Sequence, residues 1–319
     1  MRTGAAAGHR GYFHEAVCYD SDEHLLAVVA PFLLDGVAAG EPTLVSFGPR
    51  NAALLRAALP ADSGVVFLPG DDVYARPASA IQSYRRMLAE HVAAGAGQIR
   101  IIGELPPTSL GATWDWWARY ESAINHAYDE FPLWSMCAYD TRTTPAPVLA
   151  DVARTHPRVA LPGGEHAVSA QYIEPEVFLL EDRPAVPDPI QQTAPAGDLI
   201  DLSPAEARRV VRGLPPGCLS TRDLEGLLLA VSETVTNAHR YGRAPVRMRY
   251  WIAADRVVVT VQDDGAGPKD PYAGLMPCGD DGPGGRGLWL THQFCSHVTL
   301  ERDPAGFTLR MVAGRPHTG

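Results

Sequence analysis

The first 157 residues alternate short apolar segments with longer helical patterns, and this alternation limits most strongly how the chain can fold. Four apolar segments have the length of strands and lie at residues 43–47, 65–68, 99–104 and 134–139. The helical patterns that flank them lie at residues 25–39, 52–59, 79–94 and 114–128. Strands that alternate with helices form a parallel sheet with helices on both faces. We therefore predict an α/β fold for this half.

A proline-rich stretch between about residues 157 and 199 separates this half from the rest of the chain. It contains Pro162-Gly163-Gly164 and then the prolines Pro175, Pro184, Pro187, Pro189 and Pro195. Proline lacks a backbone N–H and resists helix, so the stretch is predicted to be a linker or a wrapping extension. We predict an N-terminal domain at 1–157, a linker at 158–197 and a C-terminal domain at 198–319. Each domain is large enough to bury its own core.

Composition excludes several classes of protein. The 319 residues are 46% hydrophobic and 20% charged, with a formal net charge of −10. This charge argues against direct nucleic-acid binding, which normally requires a basic face. No apolar run approaches the roughly 18–20 residues that span a bilayer, and residues 1–10 lack the apolar core of a signal peptide. The five cysteines show no CxxC pair, which favours free thiols and a cytoplasmic location over a disulfide framework or a zinc site.

A helical pattern at residues 221–241 carries two polar side chains of interest. Its apolar stripe is predicted to face the core and consists of Leu224, Leu227, Leu228, Val231, Val235 and Ala238. Glu233 and Asn237 are four residues apart and share a different face. The amide oxygen of Asn237 suits Mg²⁺, the Glu233 carboxylate could deprotonate a hydroxyl, and Arg240 on the same side could contact phosphate. An isolated pair of this kind is usually ordinary solvated surface.

Two glycine-rich motifs further along the chain favour the functional interpretation. Asp263-Asp264-Gly265-Ala266-Gly267 follows two predicted strands at 246–252 and 256–261. An acid at a strand end can accept a hydrogen bond from the amine of adenine, and glycines let a ring approach the backbone. After a loop of lid length at 268–283, Gly284-Gly285-Arg286-Gly287 precedes a helical run, which is typical of an anion site. In this order, the motifs predict one nucleotide pocket.

Residues 198–312 resemble the GHKL (Bergerat) ATPase fold, and within it the anti-sigma-factor serine/threonine kinases. The resemblance implies an α/β sandwich, with a mixed sheet and helices on one face, that binds ATP and Mg²⁺. It implies that Glu233 is the general base, that Asn237 is the Mg²⁺ ligand and that Asp263 binds adenine above Gly265 and Gly267. The phosphate end of the lid would be Gly285, Gly287 and Leu288, and Thr308 would lie near adenine. The lid departs from the family pattern because its basic residue, Arg286, lies inside the glycine turn rather than before it.

Residues 11–157 resemble the MEDS (DcmR-like) sensory domain. The motifs that carry the resemblance are His14-Glu15-Ala16-Val17-Cys18-Tyr19-Asp20, Gly40-Glu41-Pro42, Gly103-Glu104, Tyr120-Glu121 with Asn125, and Cys137-Ala138-Tyr139-Asp140. The resemblance implies a RecA-like sheet and a sensory role, although no GxxxxGK[ST] loop follows any predicted strand. His14, Glu104 and Tyr139 are either buried polar groups satisfied by their neighbours or a pocket for an unknown small ligand at the carboxyl edge of the sheet.

Three functions are compatible with this organisation. The first is a cytoplasmic serine/threonine kinase that is controlled by the sensory domain. Its partners would be an anti-sigma-factor antagonist, a sigma factor and a second copy of the chain, with no nucleic acid or membrane. The second is a nucleotide-sensing adaptor that transfers no phosphate. The third is a histidine kinase, but neither His156, which precedes a proline, nor His166, in the proline-rich stretch, begins a long amphipathic helix.

Overall fold

The computed structural model describes residues 2–69, 76–183, 185–277 and 286–316 of the chain. These residues divide into two units. The first contains most of the described residues up to Phe178. The second contains the described residues from Leu179 onward, together with Arg76–Ser79 and Gly111–Trp116.

The first unit is built on a seven-stranded, mostly parallel sheet. Its strands, in chain order, are β1 (Phe13–Tyr19), β2 (Thr43–Ser46), β3 (Val66–Phe67), β4 (Ile99–Gly103), β5 (Leu133–Asp140), β6 (Arg158–Leu161) and β7 (Glu165–Val168). The spatial order is β3-β2-β4-β5-β1-β6-β7. Every pairing is parallel except the last, between β6 and β7. The predicted parallel α/β architecture is confirmed.

Helices connect these strands, as the alternating pattern predicts. They are α1 (Asp22–Ala38), α2 (Pro49–Ala58), α3 (Pro77–Ala93), α4 (Trp114–Ala127), α5 (Ala146–Thr155) and the short α6 (Pro175–Phe178), with 3₁₀ turns at Gly4–Ala6 and Pro107–Leu110. Helix α1 begins where the Ser21 side chain accepts a hydrogen bond from the His24 amide at 3.0 Å, a common N-terminal cap. Its buried side contributes Leu25, Val29 and Leu33 to the core.

Strand β1 is not among the predicted strands, although it pairs with both β5 and β6 inside the sheet. Two polar residues, His14 and Glu15, occupy it and are at most 1% exposed. Trp134 donates a hydrogen bond to Glu15 Oε2 at 2.7 Å, and His166 Nδ1 lies 2.8 Å from Glu15 Oε1. The strand is therefore compatible with burial because distant residues satisfy its carboxylate, which local sequence does not reveal.

The segment predicted as a linker contains regular structure at both ends. Strands β6 and β7 form a hairpin on the first sheet, and its turn uses Gly163 and Gly164 at φ values of 80° and 76°. Glycine pairs at positive φ are typical of tight hairpins. The proline content of the whole stretch predicts a linker. Most of these prolines, however, follow the hairpin, so they do not prevent the two strands from pairing.

The described residues from Leu179 onward form a five-stranded sheet and three helices. The elements are β8 (Gly197–Ile200), α7 (Pro204–Arg212), α8 (Thr221–Tyr241), β9 (Arg247–Ile252), β10 (Arg256–Asp263), α9 (Arg286–Phe294), β11 (His297–Asp303) and β12 (Gly306–Gly314), preceded by a 3₁₀ turn at Pro189–Gln192. The order is β11-β12-β10-β9-β8. The pairings are antiparallel throughout, whereas a mixed sheet was predicted. The predicted α/β architecture of this half of the chain is confirmed.

Helix α8 packs against the sheet through the predicted stripe. Ser220 caps the helix by accepting a hydrogen bond from the Asp223 amide at 3.1 Å. The residues of α8 that are fully buried include Leu227, Val231 and Val235, and they share a core with β9, β10, β11 and β12. The other face of the sheet carries a smaller cluster of Trp251, Val258 and Val312, against which Ile190 packs.

Within the described ranges, every helix is too short or too polar to cross a bilayer. The described cysteines, Cys18, Cys137, Cys218 and Cys295, form no disulfide bond in this structure.

A buried ion pair stabilises the first unit. Arg100 on β4 is 1% exposed, and its Nε donates to Glu41 Oε2 at 2.6 Å. Its remaining nitrogens donate to the Phe32 carbonyl and to Thr3 Oγ1, both at 2.7 Å. The guanidinium also lies over the Trp134 ring, 4.6 Å from its centroid. Each nitrogen of the guanidinium thus donates a hydrogen bond within the protein.

We predict that Arg100→Met lowers the free energy of unfolding by about 3–5 kcal/mol, because it leaves the Glu41 carboxylate buried without a cation. Urea denaturation of the full chain measures this change. The matched control is Arg50→Met, since Arg50 pairs with Asp22 at 2.8 Å but its side chain is 62% exposed. An exposed pair of this kind contributes about 1 kcal/mol or less. Equal losses in the two variants would contradict the role of Arg100.

Candidate functional site

A cavity of about 420 Å³ lies in the second unit beside α8, β10 and β12. This volume is within the usual range for small-molecule sites, about 300–1,000 Å³. Most of the wall is apolar, and a few polar groups interrupt it. The lining residues include Thr234, Asn237, Ala238, Tyr241, Val261, Asp263, Gly267, Lys269, Leu288, Phe307 and Leu309. An apolar cleft with a few directional polar groups is typical of a site for a flat heterocycle.

Asp263 is the buried acid of this cavity. It is the last residue of β10 and is 4% exposed. Its Oδ1 accepts hydrogen bonds from the backbone amides of Gly265 at 2.7 Å and Arg243 at 3.2 Å. Both bonds go to the same oxygen, which fixes the carboxylate and leaves Oδ2 to accept from a ligand. A ligand with an exocyclic amine, such as adenine, offers the required donor.

Glycines make room around this carboxylate. A Cβ atom on Gly242 or on Gly265 would clash with the Asp263 side chain. Gly267 has a φ of 72°, in the region that favours glycine, and its Cα faces the Phe307 ring. The backbone of the predicted Asp-x-Gly-x-Gly turn therefore forms part of the cavity wall next to the acid.

Glu233 and Asn237 meet the beginning of α9. A Cβ atom on Gly287 would clash with the Glu233 carboxylate and would lie 3.3 Å from Asn237 Nδ2. Asn237 also lines the cavity, as does Leu288, the residue after Gly287. The structure thus brings Glu233, Asn237 and Gly287 together next to the cavity, as the motif order predicts.

Four further residues were predicted for this site, namely Arg286, Gly285, Arg240 and Thr308. Arg286 is exposed and is the first residue of α9, whereas Gly285 lies outside the described residues. Arg240 is exposed, and its guanidinium lies 5.2 Å from the centroid of the Tyr241 ring rather than in the cavity lining. Thr308 lies between two lining residues of β12, Phe307 and Leu309, so alternation directs it to the opposite face. The structure does not bring Arg240 or Thr308 into the cavity.

The cavity also has lining residues that are not among the predicted site residues. Lys269, the only lysine in the chain, lines the cavity directly after the glycine turn. Thr234 lines it from α8, and its buried Oγ1 has no hydrogen-bond partner in the structure. The position of Lys269 beside the glycine motif was a usable signal. Thr234 gave none, since it lies between the apolar stripe and the polar face of the helix.

The candidate sensory residues separate into two networks in the first unit. Glu104 follows β4 and accepts hydrogen bonds from the Gly48 amide at 2.7 Å and from Asn51 Nδ2 at 2.6 Å. Burial raises the pKa of Glu104, and these two hydrogen bonds partly offset the rise. His14 and Tyr139 instead pack against His156, with ring centroids 4.1 Å and 5.8 Å away. Glu104 is therefore not part of the cluster that contains the other two.

Comparison with known families agrees with both resemblances. Residues 13–157 match the model of the MEDS family, the methanogen/methylotroph, DcmR sensory domain. Residues 203–313 match the model of the histidine kinase-like ATPase domain. The chain therefore carries a MEDS domain followed by a histidine kinase-like ATPase domain, and an ATPase domain implies that it binds ATP.

Comparisons with individual proteins add less. The comparison with curated proteins gave no significant match. Among solved structures, the chain is similar to the RsbU and RsbW domains of a Mycobacterium tuberculosis protein at 19% sequence identity, with a TM-score of 0.26. The match covers 39% of this chain and 34% of that one, about a third of its length. At that TM-score, the similarity supports no structural conclusion.

We predict that Asp263→Asn weakens ATP binding about tenfold to a hundredfold, equivalent to the 1–3 kcal/mol of an unsatisfied buried polar group. The variant can keep the two backbone hydrogen bonds, but it directs an amide N–H₂ at the amine of adenine. Isothermal titration calorimetry of the full chain with ATP measures the change. Asp264→Asn is the matched control, because Asp264 is exposed and is not a lining residue. An unchanged affinity in Asp263→Asn would contradict the assignment of the adenine contact.

Proposed function

We propose that this chain is an ATP-binding serine/threonine protein kinase of the anti-sigma type, which regulates transcription by partner switching under the control of its MEDS domain. One observation carries the proposal. Glu233 and Asn237 share a face of α8 and meet Gly287 at the start of α9, next to the cavity that contains Asp263. A candidate base, an oxygen ligand for a cation and a candidate adenine contact are therefore adjacent.

The arrangement supports a direction for the nucleotide. Asp263 marks the adenine end, because it offers a fixed acceptor among apolar walls. Asn237 and the beginning of α9 mark the phosphate end, because a helix N-terminus attracts anions. Lys269 adds a positive charge to the lining, and Arg286 places another at the first residue of α9.

The residues also fit Mg²⁺ as a companion of ATP. Protein sites usually bind this ion through one or two oxygen ligands and the substrate phosphates, rather than through a complete protein cage. Asn237 offers one such oxygen beside the cavity. When bound, the ion would neutralise phosphate charge, while the orientation of the nucleotide would depend on Asp263 and the glycine turn.

Glu233 would act on the acceptor serine of a protein substrate. Its carboxylate would take the proton from the serine hydroxyl as the serine oxygen attacks the γ-phosphorus. The bond between the γ-phosphorus and the β–γ bridging oxygen would break, and ADP would leave with that oxygen. The products are phosphoserine, ADP and a protonated Glu233, which returns its proton to solvent.

The partners in this proposal are an anti-sigma-factor antagonist, which would supply the serine, and a sigma factor. The chain would act in the cytoplasm as a homodimer, and the MEDS domain would bind an unknown small ligand. The net charge of −10 supports contact with proteins rather than directly with nucleic acid. A histidine kinase mechanism is disfavoured, because His156 is fully buried and its Nδ1 lies 2.9 Å from the Val152 carbonyl.

A non-catalytic adaptor is the second candidate, and the lining favours it in one respect. Among the described lining residues, Lys269 is the single cation, and no basic residue stands immediately before Gly284-Gly285. Such a site would bind ATP and change a partner interface without transferring phosphate.

Labelling with [γ-³²P]ATP distinguishes the two functions. We predict that the full chain labels a serine of a candidate antagonist, and that Glu233→Gln lowers the labelling rate at least a hundredfold, within the usual range for general-base catalysis. ATP affinity should change little in this variant. The control is Glu225→Gln, an exposed glutamate of the same helix, which should label like the parent protein.

Absence of labelling with every candidate antagonist, while ATP still binds, would exclude the kinase function. The adaptor function then predicts that ATP alters partner binding in the parent chain and in Glu233→Gln alike.

A further inference from the structure

Four side chains that commonly bind metals meet inside the first unit. They are His14 on β1, Glu121 on α4, Cys137 on β5 and His156 directly after α5. Each offers one ligand atom, and these atoms all lie within 4.8 Å of one another. His14, Glu121 and His156 are at most 1% exposed, whereas Cys137 is partly exposed.

The spacing of these atoms suits a tetrahedral site. Zinc binds nitrogen, oxygen and sulfur ligands at about 2.0–2.3 Å, so neighbouring ligand atoms in a tetrahedron lie roughly 3.3–3.8 Å apart. His14 Nε2 lies 3.4 Å from Cys137 Sγ. His156 Nε2 and His14 Nε2 lie 3.4 Å and 3.9 Å from Glu121 Oε2. Small side-chain movements would bring the ligand atoms around one ion.

Neighbouring groups orient both imidazoles for metal binding. Asn125 Nδ2 donates to backbone carbonyls, including Thr155 O at 2.8 Å, so its Oδ1 is an acceptor. His14 Nδ1 lies 3.0 Å from that oxygen and therefore carries the proton. His156 Nδ1 lies 2.9 Å from the Val152 carbonyl and carries its proton for the same reason. In both rings, Nε2 is left with its lone pair directed at the cluster, which is the usual outer-shell arrangement of metal-bound histidines.

This arrangement leaves two acceptor atoms facing each other. Glu121 Oε2 and His156 Nε2 are buried without a hydrogen-bond partner in the structure, and a neutral His156 offers no proton between them. Buried polar atoms without a partner are rare and costly in folded proteins. A proton or a metal cation between these atoms would remove the conflict.

Burial disfavours the charged forms of these side chains. Burial raises the pKa of Glu121 to about 7, although Tyr139 and Cys137 partly offset the rise. Burial also lowers the pKa of His156 to about 4, and burial together with Glu121 raises the pKa of Cys137 well above its ordinary value. A bound cation would displace the protons of the thiol and carboxyl groups, as metal binding generally does.

We propose that His14, Glu121, Cys137 and His156 bind one divalent transition-metal ion of the zinc type. The choice of metal follows from the ligands. Thiolate and imidazole ligands select zinc and its first-row neighbours, whereas magnesium and calcium prefer sites made of oxygen atoms alone. The site lies in the MEDS domain, and the proposal is independent of whether the ATPase domain transfers phosphate.

Cobalt is a direct probe of this site, because tetrahedral Co²⁺ bound to thiolate gives visible and near-ultraviolet absorption bands. The full chain would be treated with a chelator, dialysed without nucleotide and titrated with Co²⁺ and then Zn²⁺. We expect one Co²⁺ per chain, a thiolate absorption band, and loss of that band when Zn²⁺ replaces Co²⁺. When the zinc-titrated protein is dialysed again, elemental analysis should find about one zinc per chain.

Substitutions test which residues bind the ion. Cys137→Ser should abolish the thiolate band and weaken Zn²⁺ binding at least tenfold, comparable with the smallest losses seen when outer-shell partners are removed. The matched control is Cys18→Ser, a cysteine of β1 outside the cluster, which should keep the band. Asn237→Ala should also keep it, which separates this site from the nucleotide cavity.

Absence of both the thiolate band and retained zinc in the parent chain would overturn the proposal and leave a buried proton-sharing network. If Cys137→Ser does not fold, the titration of the parent chain and the Cys18→Ser control still decide the question. A thiolate band that is lost in Cys18→Ser would also overturn the proposal.

Discussion

Helix α8 imposes the constraint on which the ATPase domain depends, because it serves two environments at once. One side packs Leu227, Val231 and Val235 into the core above the antiparallel sheet. With that side fixed by burial, the helical repeat determines where Glu233 and Asn237 point. The polar face of the site is therefore positioned by a rigid helix rather than by loops. Any shift of α8 would disturb the core and the cavity together.

Gly287 supplies the second half of this constraint. Since it has no side chain, the beginning of α9 can approach the Glu233 carboxylate and Asn237 closely. The same principle applies at Asp263, where Gly242 and Gly265 leave room for the carboxylate and an amide donor fixes its orientation. At Gly287, Gly242 and Gly265, glycine is required for space alone. At Gly267, the positive φ is a second reason for glycine.

Sequence alone predicted much of this architecture because the relevant signals are local. The stripe of α8, the position of Asp263 at a strand end and the alternation of strands and helices all follow from short-range periodicity. Prediction from sequence failed where pairing between distant segments determines the position of a strand or a side chain. Strand β1 carries polar residues that are satisfied from β5 and β7, and Thr308 faces away from the cavity because of the phase of β12.

The first unit illustrates the same limit. The sequence leaves open whether His14 and Tyr139 are satisfied buried groups or pocket residues, and it identifies His156, which contacts both, only as a candidate phosphate acceptor. Its role depends on the register of β1 with β5 and on the end of α5, which bring four distant segments together. Glu104 belongs to a separate network with Asn51 and Gly48, so the two kinds of polar group cannot be told apart by sequence.

The most direct measurement of the central claim is a crystal structure of the full chain with a non-hydrolysable ATP analogue and Mg²⁺. The account predicts that the exocyclic amine of adenine lies about 3 Å from Asp263 Oδ2, a normal hydrogen-bond distance, and that the phosphates extend toward Asn237 and the start of α9. An analogue bound with its adenine away from Asp263, or a cavity that stays empty at saturating analogue, would contradict it.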